Sequence, residues 1–281
     1  MTEPLNVDSR IVAIETSSRV GSVAVARGPK LLAERRFSQS MRHAVELMPG
    51  IADLTREQGW KPTDIQQIYV SIGPGSFTGV RIAIAIARAI SQCTGAGLIA
   101  VPTLDVLAAN APADTSHLAV ILDAKRGQVY AGRYGRQSAG APGSTAIGLG
   151  PANLYSAAGP VLTDPADFVR SSPHPLLILG EGIPYHHEAL VVGGLGRGSV
   201  HLAAEDLWQP AASQVHAIGW QRALAGRFTP LEEFLPIYIR KAEAEEVLEK
   251  KQALLAATSP ESATNKNRIQ AQVGNRAPAD R

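Results

Sequence analysis

The chain is short of the residues that most often carry chemistry. Its 281 residues include one cysteine and three methionines, and aromatics make up 5%. The lone thiol, Cys93, excludes an intramolecular disulfide and a cysteine-based metal cluster, and it fits a reducing compartment. No apolar run reaches the ~18 residues needed to cross a bilayer. The amino terminus MTEPLNVDSR is polar and lacks the apolar segment of a signal peptide, so the expectation is a cytoplasmic protein with no membrane partner. A surplus of either charge is missing too: 27 Lys and Arg against 25 Asp and Glu leave a formal net charge of +2, which does not identify a nucleic-acid binder. The excess leans on the carboxyl end, where Lys266, Arg268, Arg276 and Arg281 face few acids. Such a tail is either solvated or touches RNA weakly, and RNA affinity of that kind would fall steeply with salt and disappear with residues 259–281.

What the chain does have is apolar mass, 45% hydrophobic, enough for one large or two small cores. Its most informative stretch is SIGPGSFTGVRIAIAIARAI, residues 71–90. Ile68–Ile72 reads as a buried strand, Gly73-Pro74-Gly75 ends it, and Ser76 or Thr78 caps the helix that follows. From Arg81 onward Ile82, Ile86 and Ile90 recur every four positions, with Ala85, Ala89 and Cys93 one stripe over. Cys93 reads as a small buried hydrophobe. The turn fails both common nucleotide tests. Val80 follows Gly79 where a P-loop needs lysine, and Thr78 stands where the dinucleotide fingerprint needs its third glycine. The turn is either an anion site at a helix start or a tight strand-to-helix connection.

Two segments share one plan. Residues 11–26 give a strand, the turn Glu15-Thr16-Ser17-Ser18 and a second strand; residues 118–134 repeat it around Asp123-Ala124-Lys125-Arg126-Gly127. An acid closes the first strand in each, which points to an internal duplication. A helix is expected over residues 41–58, capped by Ser40 and stopped by Gly59, with Ala44, Leu47, Met48, Ile51 and Leu54 on one face and a kink or break near Val45 caused by Pro49. Further along come a strand at 98–101, a helix over 103–110, loop with a short helical piece near 151–158, a strand at 176–179, a flexible connection at 193–198 and a helix over 212–225. Past Pro236-Ile237-Tyr238-Ile239-Arg240 a helix is expected, with Glu246 and Lys250 spaced for an ion pair, and then disorder from about residue 259. The alternation argues for mixed α/β layers.

Other chemistry-bearing residues read more plainly. His186, His187 and Glu188 are adjacent and point apart, so a solvated pair is expected rather than a metal site. Ser17 and Ser76 lack a recognisable His and Asp set to activate them. Asp105 caps or is solvated, and His43 makes a surface or interface hydrogen bond.

Taken together, IETSSRVGSVAVA, HAVELMPGI, SIGPGSFTGVR, VPTLDVLA, LDAKRGQVYAG and PIYIR resemble, in order and spacing over roughly residues 10–241, the bacterial TsaB (YeaZ) family of tRNA threonylcarbamoyladenosine biosynthesis proteins. The motif Gly73, Pro74, Gly75, Ser76, Phe77, Thr78, Gly79 and Arg81 is its most specific element. The resemblance implies an α/β actin-like fold (sugar kinase, Hsp70, actin) of two duplicated ribonuclease-H-like subdomains, 10–111 and 112–241, followed by a helical extension and disordered tail, 242–281. It implies that Glu15, Thr16, Ser17, Asp123 and Gly127 are the remains of two phosphate-holding turns. Working kinases of that superfamily have aspartate where Glu15 stands. The related catalytic subunit, of TsaD type, carries a His-x3-His metal motif where this chain offers Thr103 and Leu107. The implied role is therefore a non-catalytic partner of the TsaD-type subunit, acting with a TsaE-type ATPase and meeting tRNA through the complex. It needs no cofactor or metal of its own, while ATP and a metal ion belong to the partner subunits. The implied docking residues are Ala44, Leu47, Met48, Ile51, Leu54, Ile82, Ile86 and Ile90; left unpartnered, they favour a homodimer. The competing expectation is an ATP-dependent transferase or peptidase of the same fold acting alone.

Overall fold

The computed structural model describes residues 7–39, 42–136, 148–195 and 198–240. The expected Ser40 cap, the helix beyond Arg240 with its Glu246–Lys250 pair, and the basic tail lie outside them. Among the described residues ten strands form two sheets of five. In the first, β1 (Arg10–Glu15) pairs antiparallel with β2 (Ser22–Arg27), and β2 with β3 (Lys30–Arg36). On the other side β1 pairs in parallel with β4 (Gln67–Ser71), and β4 with β5 (Gly97–Val101). The second sheet repeats this arrangement: β8 (Leu154–Thr163), β7 (Val129–Arg136), β6 (His117–Asp123), β9 (Leu176–Leu179) and β10 (Val200–Leu202).

The helices repeat as well. In the first half α1 (His43–Glu57) joins β3 to β4, α2 (Phe77–Thr94) joins β4 to β5, and α3 (Thr103–Ala108) follows β5. In the second half α4 (Pro165–Arg170), α5 (Ile183–Gly194) and α6 (Ala212–Leu224) hold the same places. Two copies of β-β-β-α-β-α-β-α, each closing a five-stranded mixed sheet, make the duplicated actin-like plan.

The two copies exchange their last helices. α3 packs on β6, β7 and β8 of the second sheet, and α6 packs on β1, β2, β4 and β5 of the first. A division of the sequence at 111/112 thus assigns each helix to the half whose sheet it does not cover. One core binds both sheets: Ile11, Ala13 and Tyr69 of the first, Leu118, Val120 and Leu179 of the second, with Leu104 and Leu107 of α3 and Val215 and Ile218 of α6 between them. Two outer cores complete the layers. Val12, Ile14, Val23 and Val70 meet α1 and α2 on one side. Ala119, Ile121 and Ile178 meet α4 and α5 on the other.

Several sequence expectations are corrected. Residues 154–163 form β8, a strand rather than loop and a helical turn. Its LYSAAGPVLT composition hides the pattern, and Pro160 is tolerated because β8 is an edge strand. α4 and α5 are helices that the sequence pattern does not mark, and α5 extends to Gly194, into the interval expected as a flexible connection. α1 runs unbroken through Pro49. Both Pro49 and Val45 lie on the exposed side, where solvent can take the bond the ring removes. Cys93 is exposed, since the stripe it shares with Ala85 and Ala89 faces away from the core.

Candidate docking face and the two hairpin turns

Ser76 caps α2, its hydroxyl accepting from Gly79 N at 3.2 Å, and Gly95, with φ of 76°, ends the helix. The first turn of α2 lies directly on the β1–β2 turn. Ser76 N donates to Ser17 O at 2.7 Å and Thr16 Oγ1 donates to Gly79 O at 2.8 Å. The glycines of the motif are needed for this approach: a Cβ on Gly79 would stand 2.0 Å from Thr16 O, and one on Gly75 2.4 Å from Ser17 O. From α1, His43 closes the other side, its Nε2 3.1 Å from Ser18 O. His43 is therefore a buried residue and not a surface one. A carbonyl can only accept, so Nε2 carries the proton; burial lowers the imidazole pKa and keeps it neutral. The β1–β2 turn thus fixes α1 and α2 relative to each other.

The same turn is filled by its own glutamate. Glu15 is fully buried, and its Oε1 accepts from both Ser17 N and Ser17 Oγ at 2.5 Å. Burial raises its pKa, against the lowering effect of these bonds. Glu15 Oε2 has no hydrogen-bond partner among the described residues. Thr16, Ser17 and Ser18 are also buried. A nucleotide phosphate needs open backbone donors and a carboxylate free to hold metal-bound water. Here the donors are taken by a carboxylate and the turn is covered by α2, so these residues do not fit the group.

The β6–β7 turn is different in kind. Lys125, Arg126 and Gly127 have φ of 62°, 56° and 74°, three left-handed residues in succession, two of them not glycine. Asp123 anchors the turn: Lys125 N donates to its Oδ1 at 3.0 Å and Lys125 Nζ reaches Oδ2 at 2.6 Å. His186 Nε2 lies 3.1 Å from Asp123 Oδ1, and its side chain is 8% exposed, which corrects the expectation of a solvated histidine pair; His187 remains exposed. Burial pushes the Asp123 pKa up, but the hydrogen bonds from Lys125 and His186 outweigh it and hold it low. Lys125 and Asp123 of this turn are thus paired with each other rather than held open for a phosphate.

Asp105 is also not solvated. It sits in a cluster between the two sheets: Tyr134 OH donates to Oδ1 and Arg222 Nη2 to Oδ2, each at 3.0 Å. Thr103 Oγ1 bonds Ser71 Oγ at 2.8 Å and accepts from Gly73 N at 3.1 Å, while Leu107 is core. Thr103 thus supplies a structural hydroxyl and Leu107 is a packed core residue.

The implied docking residues divide by burial. Leu47, Ile51 and Leu54 point into the chain's own core, at about 1.5–3 kcal/mol each for full burial. Ala44 and Met48 are exposed, and Ile82, Ile86 and Ile90 are half-buried along one edge of α2. The exposed apolar residues include Ala44, Val45, Met48, Pro49 and Ala52 of α1 and Ala85 and Ala89 of α2, the last two beside Arg81, Arg88, Leu235 and Pro236. Val45, Pro49, Ala52, Ala85 and Ala89 are not among the docking residues that the resemblance implies. An exposed alanine stripe carries no hydropathic signal of its own and shows only against the tertiary background.

The model of the family described as "TsaD: tRNA N6-adenosine threonylcarbamoyltransferase" matches residues 30–155. The tRNA threonylcarbamoyladenosine biosynthesis protein TsaB of Bacillus subtilis is 30% identical over 236 residues, 84% of this chain and 96% of that protein. TsaB of Escherichia coli is 33% identical over 133 residues, 47% of this chain and 57% of the other. Among solved structures, YeaZ from Pseudomonas aeruginosa superposes with a TM-score of 0.65 at 25% identity, covering 82% of this chain and all of that one. With that extent of identity, the shared fold and the glycine motif seated on the β1–β2 turn, this chain belongs to the TsaB (YeaZ) family of tRNA threonylcarbamoyladenosine biosynthesis proteins.

Proposed function

We propose that the chain takes part in forming N6-threonylcarbamoyladenosine in tRNA as a non-catalytic subunit that docks a TsaD-type catalytic partner, in an assembly that also uses a TsaE-type ATPase. One observation carries the reading: the glycine motif fixes α1 and α2 against the β1–β2 turn, and the pair turns an apolar, small-residue face outward. Helices that present alanines can approach a partner helix closely, and a face of this kind left bare on a monomer favours association. The geometry of the turns supports a subunit without nucleotide chemistry of its own, because a glutamate and a helix start fill the first and a lysine–aspartate pair the second. ATP and metal then act in the partner subunits, and tRNA is met through the complex.

The test is complex formation with the TsaD-type protein of the same organism, read by light-scattering chromatography. The wild type should give a one-to-one complex, and a Met48→Glu, Ala85→Glu variant should stay free while keeping the wild-type circular dichroism. Both side chains are exposed, so the variant should fold. Absence of a wild-type complex would overturn the reading and turn attention to the lone-acting transferase or peptidase.

A further inference from the structure

We infer that the pocket between Arg19 and Arg36 binds a phosphate group. It has a volume of about 250 Å³ and is lined by Arg19 and Val20 beyond the β1–β2 turn, Ser22 of β2, Arg36 at the end of β3, and Gln209 and Pro210 before α6. Arg19 directly follows the Glu15–Ser18 turn, and its charge is felt by Lys125 of the second turn, so the pocket adjoins the filled turns without including Glu15, Ser17 or Asp123 in its lining. Six other arginines of this chain, Arg10, Arg35, Arg42, Arg56, Arg170 and Arg222, each stand within 4.0 Å of a carboxylate. Arg19 and Arg36 make no such pair among the described residues. The acids nearby are committed or weakened. Glu34, two residues before Arg36, accepts from Ser213 N at 3.0 Å. Glu181 feels the charge of Arg19, but burial raises its pKa and favours its neutral form.

Gln209 lines the same pocket. Two guanidiniums beside one concavity match the oxygens of a phosphate, which planar forked donors bind in pairs. The group could be free, as phosphate or pyrophosphate, or part of an RNA backbone. The free form does not depend on the function proposed above.

The full chain should be titrated calorimetrically with pyrophosphate at fixed ionic strength, as wild type, as Arg19→Gln, Arg36→Gln, and as the charge-matched control Lys30→Gln, Arg170→Gln. Saturable binding by wild type and control, weakened tenfold or more in the Arg19, Arg36 variant, would establish a free-phosphate site. In a second arm, fluorescence anisotropy with labelled tRNA across a salt series distinguishes the RNA source. Loss of two phosphate contacts should then make the slope of log K against log salt shallower by about two in the variant alone. Neither ligand binding, or a folded variant that behaves as wild type in both arms, would overturn the proposal.

Discussion

Asp105 and Arg222 join the two helices that the halves of this protein exchange, the carboxylate on α3 lying 3.0 Å from Nη2 of the guanidinium on α6. Arg222 Nη1 also donates to Ala100 O at 2.9 Å, at the end of the first sheet, and Tyr134 of the second sheet donates to Asp105. One ion pair thus connects both sheets and both crossing helices. Burial raises the Asp105 pKa and lowers that of Arg222, so each charge depends on the other.

Removing one partner should therefore cost more than removing both. Arg222→Met is expected to destabilise by about 3–5 kcal/mol because it strands a buried carboxylate, and Asp105→Leu added to it should restore part of the loss. Urea denaturation of the two single variants and the double variant checks this; a double loss equal to the sum of the two single losses would mean the pair is not coupled.

The close approach of α2 to the β1–β2 turn makes Gly79 intolerant of a side chain. Gly79→Ala places a methyl 2.0 Å from Thr16 O, a backbone atom that cannot yield without moving the β1–β2 turn. A loss of about 2–4 kcal/mol is expected, in the range of overpacked and strained sites. Gly159→Ala, where nothing stands within 4 Å, is the matching control and should be nearly neutral. Gly79→Ala should also weaken the partner complex, since it displaces α2.

Glu15 gives a pH signature. Its folded pKa is raised above the ordinary 4.5, so its contribution to stability is full below that value and is lost as pH rises through the folded pKa. Glu15→Gln removes the titration. Relative to this variant, the wild type should lose melting temperature as pH rises above the ordinary carboxylate range. A constant difference across that rise would show that Glu15 stays ionised throughout.

The segment after α6 is tied back onto α2 by Arg81. Its guanidinium carbon lies 3.5 Å from the Phe77 ring centre and 5.3 Å from that of Tyr238, and Nε donates to the Tyr238 hydroxyl at 2.5 Å. The glycine motif and PIYIR, far apart in sequence, meet here. A double-mutant cycle on Arg81→Ala and Tyr238→Ala should give a coupling of about 0.5–1.5 kcal/mol, as for an exposed cation–π contact with one hydrogen bond. Phe234, fully buried beneath the same segment, should be costlier: about 3–5 kcal/mol for Phe234→Ala.

By itself the sequence determined the local elements whose signals are short-range. The paired hairpins, the cap at Ser76, the α2 periodicity and the strand at 176–179 are where composition and spacing place them, because strand propensity, capping and glycine punctuation act within a few residues. The duplication was legible for the same reason, as two acid-closed turns. The tertiary structure alone decided what depends on distant contacts. β8 is a strand because β7 pairs with it, although its own sequence is weak. Leu47, Ile51 and Leu54 face inward while Ala85 and Ala89 face outward, since an apolar stripe says which residues share a face and not which neighbour covers it. Asp105 and His186 are paired rather than solvated because their partners come from α6 and from the β6–β7 turn. The filled first turn could not be read from the chain either. A glutamate in place of aspartate marks a departure, but only the fold shows that its carboxylate takes up the donors a phosphate would need.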